Sequence, residues 1–292
     1  MRLNRFLAAA GLGSRRSCEE LILKGSVSIN GSFCRDLSTR VSGEDDVRVS
    51  GRLVHAIPPR TILLNKPAGY TTTRSDRHAE RTIFDLLPSD TGHLFHVGRL
   101  DKESEGLLLL TNDGILAQEL MHPSKGVDKE YEVILDKPFR DTDAAALKRG
   151  TWIEGSVARV ESVRSLGATK IQIVLHQGLK RQIRVMLGQL GFKVQRLIRT
   201  RLGPLTMRGI KPGSYRDLRK EDLEMLCNAV ASAKPKKAPL PVRPKGPKFS
   251  RFAGNPSPSK ARASSGEHPP AKRPRKTSPT GERMKRSNVS KG

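Results

Sequence analysis

The chain has 292 residues, enough to bury a sizeable core in one large domain or two smaller ones. Its 54 Lys and Arg against 29 Asp and Glu leave a formal charge of +25. Such an excess favours polyanions, because neutralising phosphates releases counterions, and it makes nucleic acid the first partner to consider.

Several classes are excluded. No run approaches the ~18 apolar residues of a spanning helix, and the first residues, MRLNRFLAAAGLGSRR, are too polar for a signal peptide. Cys18, Cys34 and Cys227 lack CxxC spacing, so neither a disulfide framework nor a zinc ribbon is expected. The seven histidines show no ligand spacing such as HExxH, and no metal is expected. These features predict a soluble, cytoplasmic protein, with no membrane partner and monomer as the default state.

In chain order, Leu3, Phe6, Leu7 and Ala10 recur at helical spacing, and Gly11 and Gly13 end that segment. A second short helix follows: Ser17 and Glu20 have capping-box spacing, Leu21 and Ile22 supply an apolar face, and Gly25 terminates it. Val27 and Ile29 then alternate with polar residues up to the hairpin signal Asn30-Gly31, and DDVRVSGRLV predicts another strand pair. Residues 1–58 thus form a small module, with AIPPR as its linker.

From residue 61 to 230 strands and helices alternate. TILLNKPAGYTTT predicts a strand and then a turn with Pro67 second and Gly69 fourth. KEYEVIL and KIQIVLHQG read as strands; TIFDLLP, ILAQELM, DAAALKR and KRQIRVMLGQL read as helices. The mixed order with hairpin-like connections predicts an α+β fold around a largely antiparallel sheet with flanking helices. Residues 233–292 change character, with 17 basic and 2 acidic residues and 11 of the 19 prolines. Low hydrophobicity with high charge predicts a disordered tail there, acting as a flexible arm for RNA.

One stretch raises a chemical question. In HVGRLDKESEGLLLLTNDG, Asp101 stands at the mouth of a run of leucines. Asp101, Glu103, Glu105 and Gly106 begin a calcium-loop pattern, but Asn112 occupies the twelfth position where a bidentate Glu belongs, so calcium is not expected. Glu103 and Glu105 are expected to face solvent, because three carboxylates buried together would hinder one another's ionisation. An ordinary Arg99–Asp101 ion pair ahead of a buried strand is the plainer alternative. In QGLKRQIRVMLGQLG, Ile183, Met186, Leu187 and Leu190 form an apolar stripe, while Arg181 and Arg184 share a face at i, i+3. A carboxylate beside an apolar wall resists ionisation, and an arginine brought to it favours the anion, which keeps an aspartate nucleophilic in a dry pocket.

Two resemblances follow from these segments. RLNRFLAAAGLGSRRSCEELILKGSVSING resembles the Alpha-L RNA-binding motif, which implies that Arg5, Arg15, Arg16 and Lys24 lie on an RNA-facing side. LLNKPAGYTTT, GRLDKESEGLLLLTNDG, KEYEV and QGLKRQIRVMLGQLGFKVQRLIR together resemble the ribosomal RNA pseudouridine synthases of the RsuA/RluB type, over about residues 1 to 225. That resemblance implies a cofactor-free isomerase acting on ribosomal RNA or a pre-ribosomal particle, the large subunit slightly favoured. It implies Asp101 as the catalytic aspartate and Tyr131 as the ring stacking on the uracil and a candidate for later proton removal. Arg184 is implied to pair with the aspartate, and Arg99 to hold the flipped nucleotide or fill its vacancy. Arg181, on the same helix face, is expected to contact RNA. Lys66 and Pro67 match a motif whose implied role is structural.

Overall fold

Leu3, Phe6 and Leu7 are buried on one side of helix α1 (Leu3–Ala9), and Cys18 and Ile22 on one side of α2 (Arg15–Leu23). Both pack on the inner face of a four-stranded antiparallel sheet made of β1 (Val27–Ile29), β2 (Ser32–Cys34), β3 (Val47–Val49) and β4 (Arg52–Leu53), in the order β2-β1-β3-β4. The hairpin signals hold for a backbone reason: Asn30 and Gly31, and Ser50 and Gly51, all take positive φ, as the tight turn between twisted strands requires. The helix cap is corrected. Ser14, not Ser17, is the N-cap of α2, its side chain accepting from the Ser17 N–H at 3.1 Å, so the helix starts three residues before the Ser17–Glu20 pair suggested.

The structure is a computed structural model and describes residues 1–122, 127–153, 155–176 and 178–232. The expected disordered tail, residues 233–292, lies outside them. The linker is hydrogen-bonded at both ends: Ile57 N–H donates to Ala9 O at 3.1 Å, and Asn112 joins Pro58 O and Arg60 N–H at 2.9 and 2.7 Å.

The rest is a nine-stranded sheet. Its strands are β5 (Thr61–Lys66), β6 (Phe95–Val97), β7 (Glu105–Thr111), β8 (Lys129–Leu135), β11 (Ser162–Ser165), β12 (Lys170–Leu175), β13 (Val194–Leu202), β14 (Leu205–Thr206) and β15 (Tyr215–Asp217); β9 (Thr151–Ile153) and β10 (Ser156–Ala158) form a separate hairpin. The main path runs β11-β12-β8-β13-β7-β5-β15, antiparallel except where β13 lies parallel to β7. Helices α3 (Gly114–Met121), α4 (Asp141–Arg149), α5 (Gln182–Gln189) and α6 (Lys220–Ala231) flank it, which is the α+β architecture predicted. Two readings change. TIFDLLP folds only as a short 3-10 turn, Ile83–Leu86, and the turn after β5 falls on Ala68 and Gly69 (φ 90°), so Pro67 leads it instead of standing second.

Both central strands are buried on both faces, and this explains their unbroken apolar sequences. Ile62, Leu64, Leu108 and Leu110 face one core with Tyr131 and α5; Leu63, Leu107 and Leu109 face another with α3 and α6. The leucine run is therefore half a wall, since only alternate members share the face of Tyr131. Along that face the register lines up Lys66, Gly106, Arg199, Tyr131 and Ile173 across five strands.

Gly106 is the tight point of that row. Its φ is 101°, and a Cβ there would lie 2.2 Å from the Arg199 carbonyl oxygen. Gly106→Ala should cost on the order of 3 kcal/mol, from strain and forced separation of β7 and β13. Gly114→Ala, with ordinary φ and open space around it, should change stability by less than about 1 kcal/mol. Urea unfolding of both variants checks this; equal effects would refute the close-approach argument.

Candidate active site

Asp101 sits in the loop between β6 and β7, and its neighbours are fixed one by one. Thr72 Oγ1 donates to Leu100 O at 2.7 Å and accepts from the Leu100 N–H. Ser104 N–H closes a turn onto Asp101 O at 3.0 Å, and Gly69 N–H donates to Lys102 O at 2.8 Å. Beneath them lies Lys66, fully buried, whose Nζ donates to Ser104 O (2.7 Å), Pro67 O (3.0 Å) and Lys102 O (3.2 Å). One ammonium thus ties the end of β5 to the residues that follow Asp101. The Asp101 side chain itself is 31% exposed and so not sealed in the interior.

The cation nearest that carboxylate differs from the expectation. Arg181 Nη1 lies 3.9 Å from Asp101 Oδ2 and 3.3 Å from Glu103 Oε2. The expected Asp101–Arg184 ion pair is not formed. Arg184 donates to Val194 O at 3.1 Å, while its Nε and Nη2 are buried without partners. The reason is local: Arg181 precedes α5 in the left-handed region (φ 52°), which sends its side chain over the Asp101 loop, whereas Arg184 is inside the helix and reaches the start of β13. Burial, and then the charge of Arg181, push the Arg184 pKa down from its ordinary value; Glu103 and Asp101 oppose them. Glu103 is held below its usual value by a hydrogen bond from its own backbone N–H and then by Arg181.

Tyr131 lies on β8, 7% exposed, within the core that also holds Leu100 and Ile183. Beside it in register is Arg199, 3% exposed, whose Nε donates to Leu107 O at 2.5 Å and whose Nη2 has no partner. This buried arginine was not singled out from sequence, because VQRLIRTRL carries three arginines and only the register buries one of them. Arg99 is exposed. Glu105 does not face solvent as expected: it is 20% exposed and bonded to Arg196 at 2.8 Å. Arg5, Arg15, Arg16 and Lys24 are all exposed on α1 and α2, with Lys24 at the opposite end of α2 from the two arginines. Among the described residues no group of three His, Cys, Asp or Glu could hold a metal ion, and no helix is long and apolar enough to cross a membrane.

Burial pushes the Lys66 ammonium down to about 8, opposed by Glu105, Asp101 and Glu103. This folded value lies below the ordinary 10.5, so between about pH 8 and 10.5 the unfolded chain binds more protons and the Lys66 contribution to stability rises with pH. Lys129, half-buried and pushed by desolvation to about 8, adds a rise of the same sign. Lys66→Met should shrink the rise without abolishing it, and should lower kcat up to about 100-fold by loosening the Asp101 loop. Urea unfolding at both ends of that pH window, with single-turnover kinetics, tests this; an unchanged kcat would contradict the staple.

Comparison with known proteins places this geometry. Residues 60–189 match the family model described as RNA pseudouridylate synthase, and residues 1–47 match the S4 domain. The chain is 36% identical over 236 residues to an uncharacterized RNA pseudouridine synthase of Aquifex aeolicus, covering 79% of this chain and 95% of that one. It is 33% identical to ribosomal large subunit pseudouridine synthase B of Bacillus subtilis (77% and 95% covered), and 35% identical to the dual-specificity RNA pseudouridine synthase RluF of Shigella flexneri (81% and 83% covered). A crystal structure of a pseudouridylate synthase superposes with a TM-score of 0.57 at 27% identity, covering 77% of this chain and 99% of that one.

Proposed function

The chain belongs to the RNA pseudouridylate synthase family, enzymes that isomerise uridine to pseudouridine in RNA, and from that membership we propose a ribosomal RNA substrate and a reaction centred on Asp101. The name of the Bacillus subtilis relative supports ribosomal RNA and its large subunit. We divide the chain accordingly into an RNA-binding module at 1–58, a catalytic domain at 61–230 and a basic segment at 233–292 that adds non-specific affinity. A cytoplasmic monomer fits this work.

The observation that carries the mechanism is the part-exposed Asp101 carboxylate on a loop fixed by Lys66, with Arg181 at 3.9 Å and the preceding residue, Leu100, in the same core as Tyr131. The target uridine flips out of the RNA at a cost of roughly a few kcal/mol, and stacking on Tyr131 returns ~1 to 3 kcal/mol of it. Asp101 acts on the flipped nucleotide, at uracil carbon 6 or at the ribose anomeric carbon. The bond from the ribose to ring nitrogen 1 breaks, the base turns, a bond to carbon 5 forms, and the carbon 5 proton leaves with Tyr131 as the nearby acceptor. Arg99, exposed at the loop entrance, steadies the flipped nucleotide.

The two arginines divide the work. Arg181 is 43% exposed and already shared with Glu103, so incoming phosphates compete for it. Arg184 is half-buried, with two buried guanidinium nitrogens, Nε and Nη2, unspent among the described residues, and becomes the counter-cation of Asp101 once RNA draws Arg181 away and excludes water.

Asp101→Asn should reduce pseudouridine formation by about 10^4-fold or more while leaving RNA affinity within about twofold. Product mapping on purified ribosomal RNA, beside a filter-binding titration, decides it. Retained turnover would remove Asp101 from the nucleophile's role.

A further inference from the structure

Phe33 is 80% exposed on β2, the edge strand of the small N-terminal sheet. A large ring in that position costs hydration free energy without a contact to offset it, and none of the residues assigned above accounts for it. Its surroundings are specific. Arg35, just past the end of the strand, lays its guanidinium across Gly25: a Cβ on Gly25 would lie 2.8 Å from Arg35 Nε and 3.0 Å from Nη2. Gly25, Phe33 and Arg35 together line a hollow of about 480 Å³.

Charge decides between occupants. Arg35 pairs with no carboxylate among the described residues, and the adjacent Asp36 is occupied by Ser38, whose N–H and hydroxyl donate to it at 2.8 and 2.6 Å. Lys24, exposed, directly precedes Gly25 at the same rim. Across the sheet the register runs Phe33, Ser28, Arg48, Leu53 on the face turned away from Val27 and Val47. On that sheet face the exposed large apolar side chains are Phe33 and Leu53, set among arginines, and Leu23 is exposed at the end of α2. A protein partner calls for a contiguous apolar patch, whereas one aromatic face beside an uncommitted guanidinium suits a base with its phosphate.

We propose that Phe33 and Arg35 form a stacking site for one unpaired RNA nucleotide, the base lying on the Phe33 ring above Gly25 and the phosphate meeting Arg35 and Lys24. This rests on the RNA-binding reading of the N-terminal module and adds a nucleotide that is held away from the Asp101 loop. The site selects single-stranded over paired RNA near the target, because a base inside a duplex cannot present its face.

The test uses the full chain and two probes, a single-stranded oligouridine and a duplex of equal length, titrated at high ionic strength to screen the basic segment. Phe33→Ala should bind the single strand about 5- to 150-fold more weakly and the duplex unchanged, with the melting transition preserved because the ring is exposed. Phe33→Tyr should keep wild-type affinity, and Phe33→Leu should not. A 4-thiouridine oligonucleotide should crosslink at Phe33 in the wild type and lose that crosslink in Phe33→Ala. Wild-type affinity in Phe33→Ala, or full rescue by Leu, which would mark an apolar protein contact, overturns the proposal. Either result leaves the pseudouridine reading standing if the same preparations turn RNA over, whereas a wild-type chain without turnover sinks that reading whatever Phe33 does.

Discussion

A single buried ammonium organises the active face. Lys66 comes from the last position of a strand whose other residues are also buried, and three backbone carbonyls converge on it, two of them from the loop that carries Asp101. Burying such a charge is costly, and among the described residues Glu105, Asp101 and Glu103 offset it only through longer-range attraction. What the arrangement provides is position. The carbonyls of Lys102 and Ser104 cannot move without stranding the cation, so Asp101 is held by a constraint that acts through the backbone and not through its carboxylate.

The rest of the face follows from sheet register. Lys66, Gly106, Arg199 and Tyr131 stand side by side because β5, β7, β13 and β8 are neighbours, and β13 can run parallel to β7 at this point because Gly106 has no side chain. Several cations are drawn inward: among the described residues Arg184 and Arg199 keep buried nitrogens with no partner, and Lys129 is pressed toward its neutral form by burial and by Arg199. Unsatisfied buried donors cost ~1 to 3 kcal/mol each, a cost that a polar or anionic ligand on that face relieves. An enzyme whose substrate is a nucleotide with carbonyls, hydroxyls and phosphate has a use for such donors; a chain that only bound the RNA backbone would keep them at its surface, as α1 and α2 do with Arg5, Arg15 and Arg16.

Much of this was legible before any coordinates. Apolar spacing located α1, α2, α3 and α5, and Asn30-Gly31 located the first hairpin, because these signals are local and the tertiary structure does not contradict them. The α+β class followed from the order of elements. What failed depended on geometry beyond the local chain. Ser17 and Glu20 have the spacing of a cap, but Ser14 is closer to where the chain turns, and it takes the part. The four leucines read as one wall because sequence does not show that both faces of β7 are covered. Arg181 and Arg184 share a helix face on paper, yet the left-handed backbone at Arg181 gives the near approach to Asp101 to the first and leaves the second to Val194. Helix α6, with Leu223, Leu226 and Val230 on one side, went unread beside the change of composition that follows it.

The central claim is that Asp101, presented by the Lys66-anchored loop, meets a uridine flipped onto Tyr131. A crystal structure of the Asp101→Asn chain bound to an RNA containing its target site tests this most directly. The account predicts the target base outside its stack and against the Tyr131 ring, with a side-chain atom of residue 101 within about 3.5 Å of the uracil ring or the anomeric carbon. A uridine still stacked in the RNA, or one seated where neither Tyr131 nor residue 101 reaches it, would contradict the account.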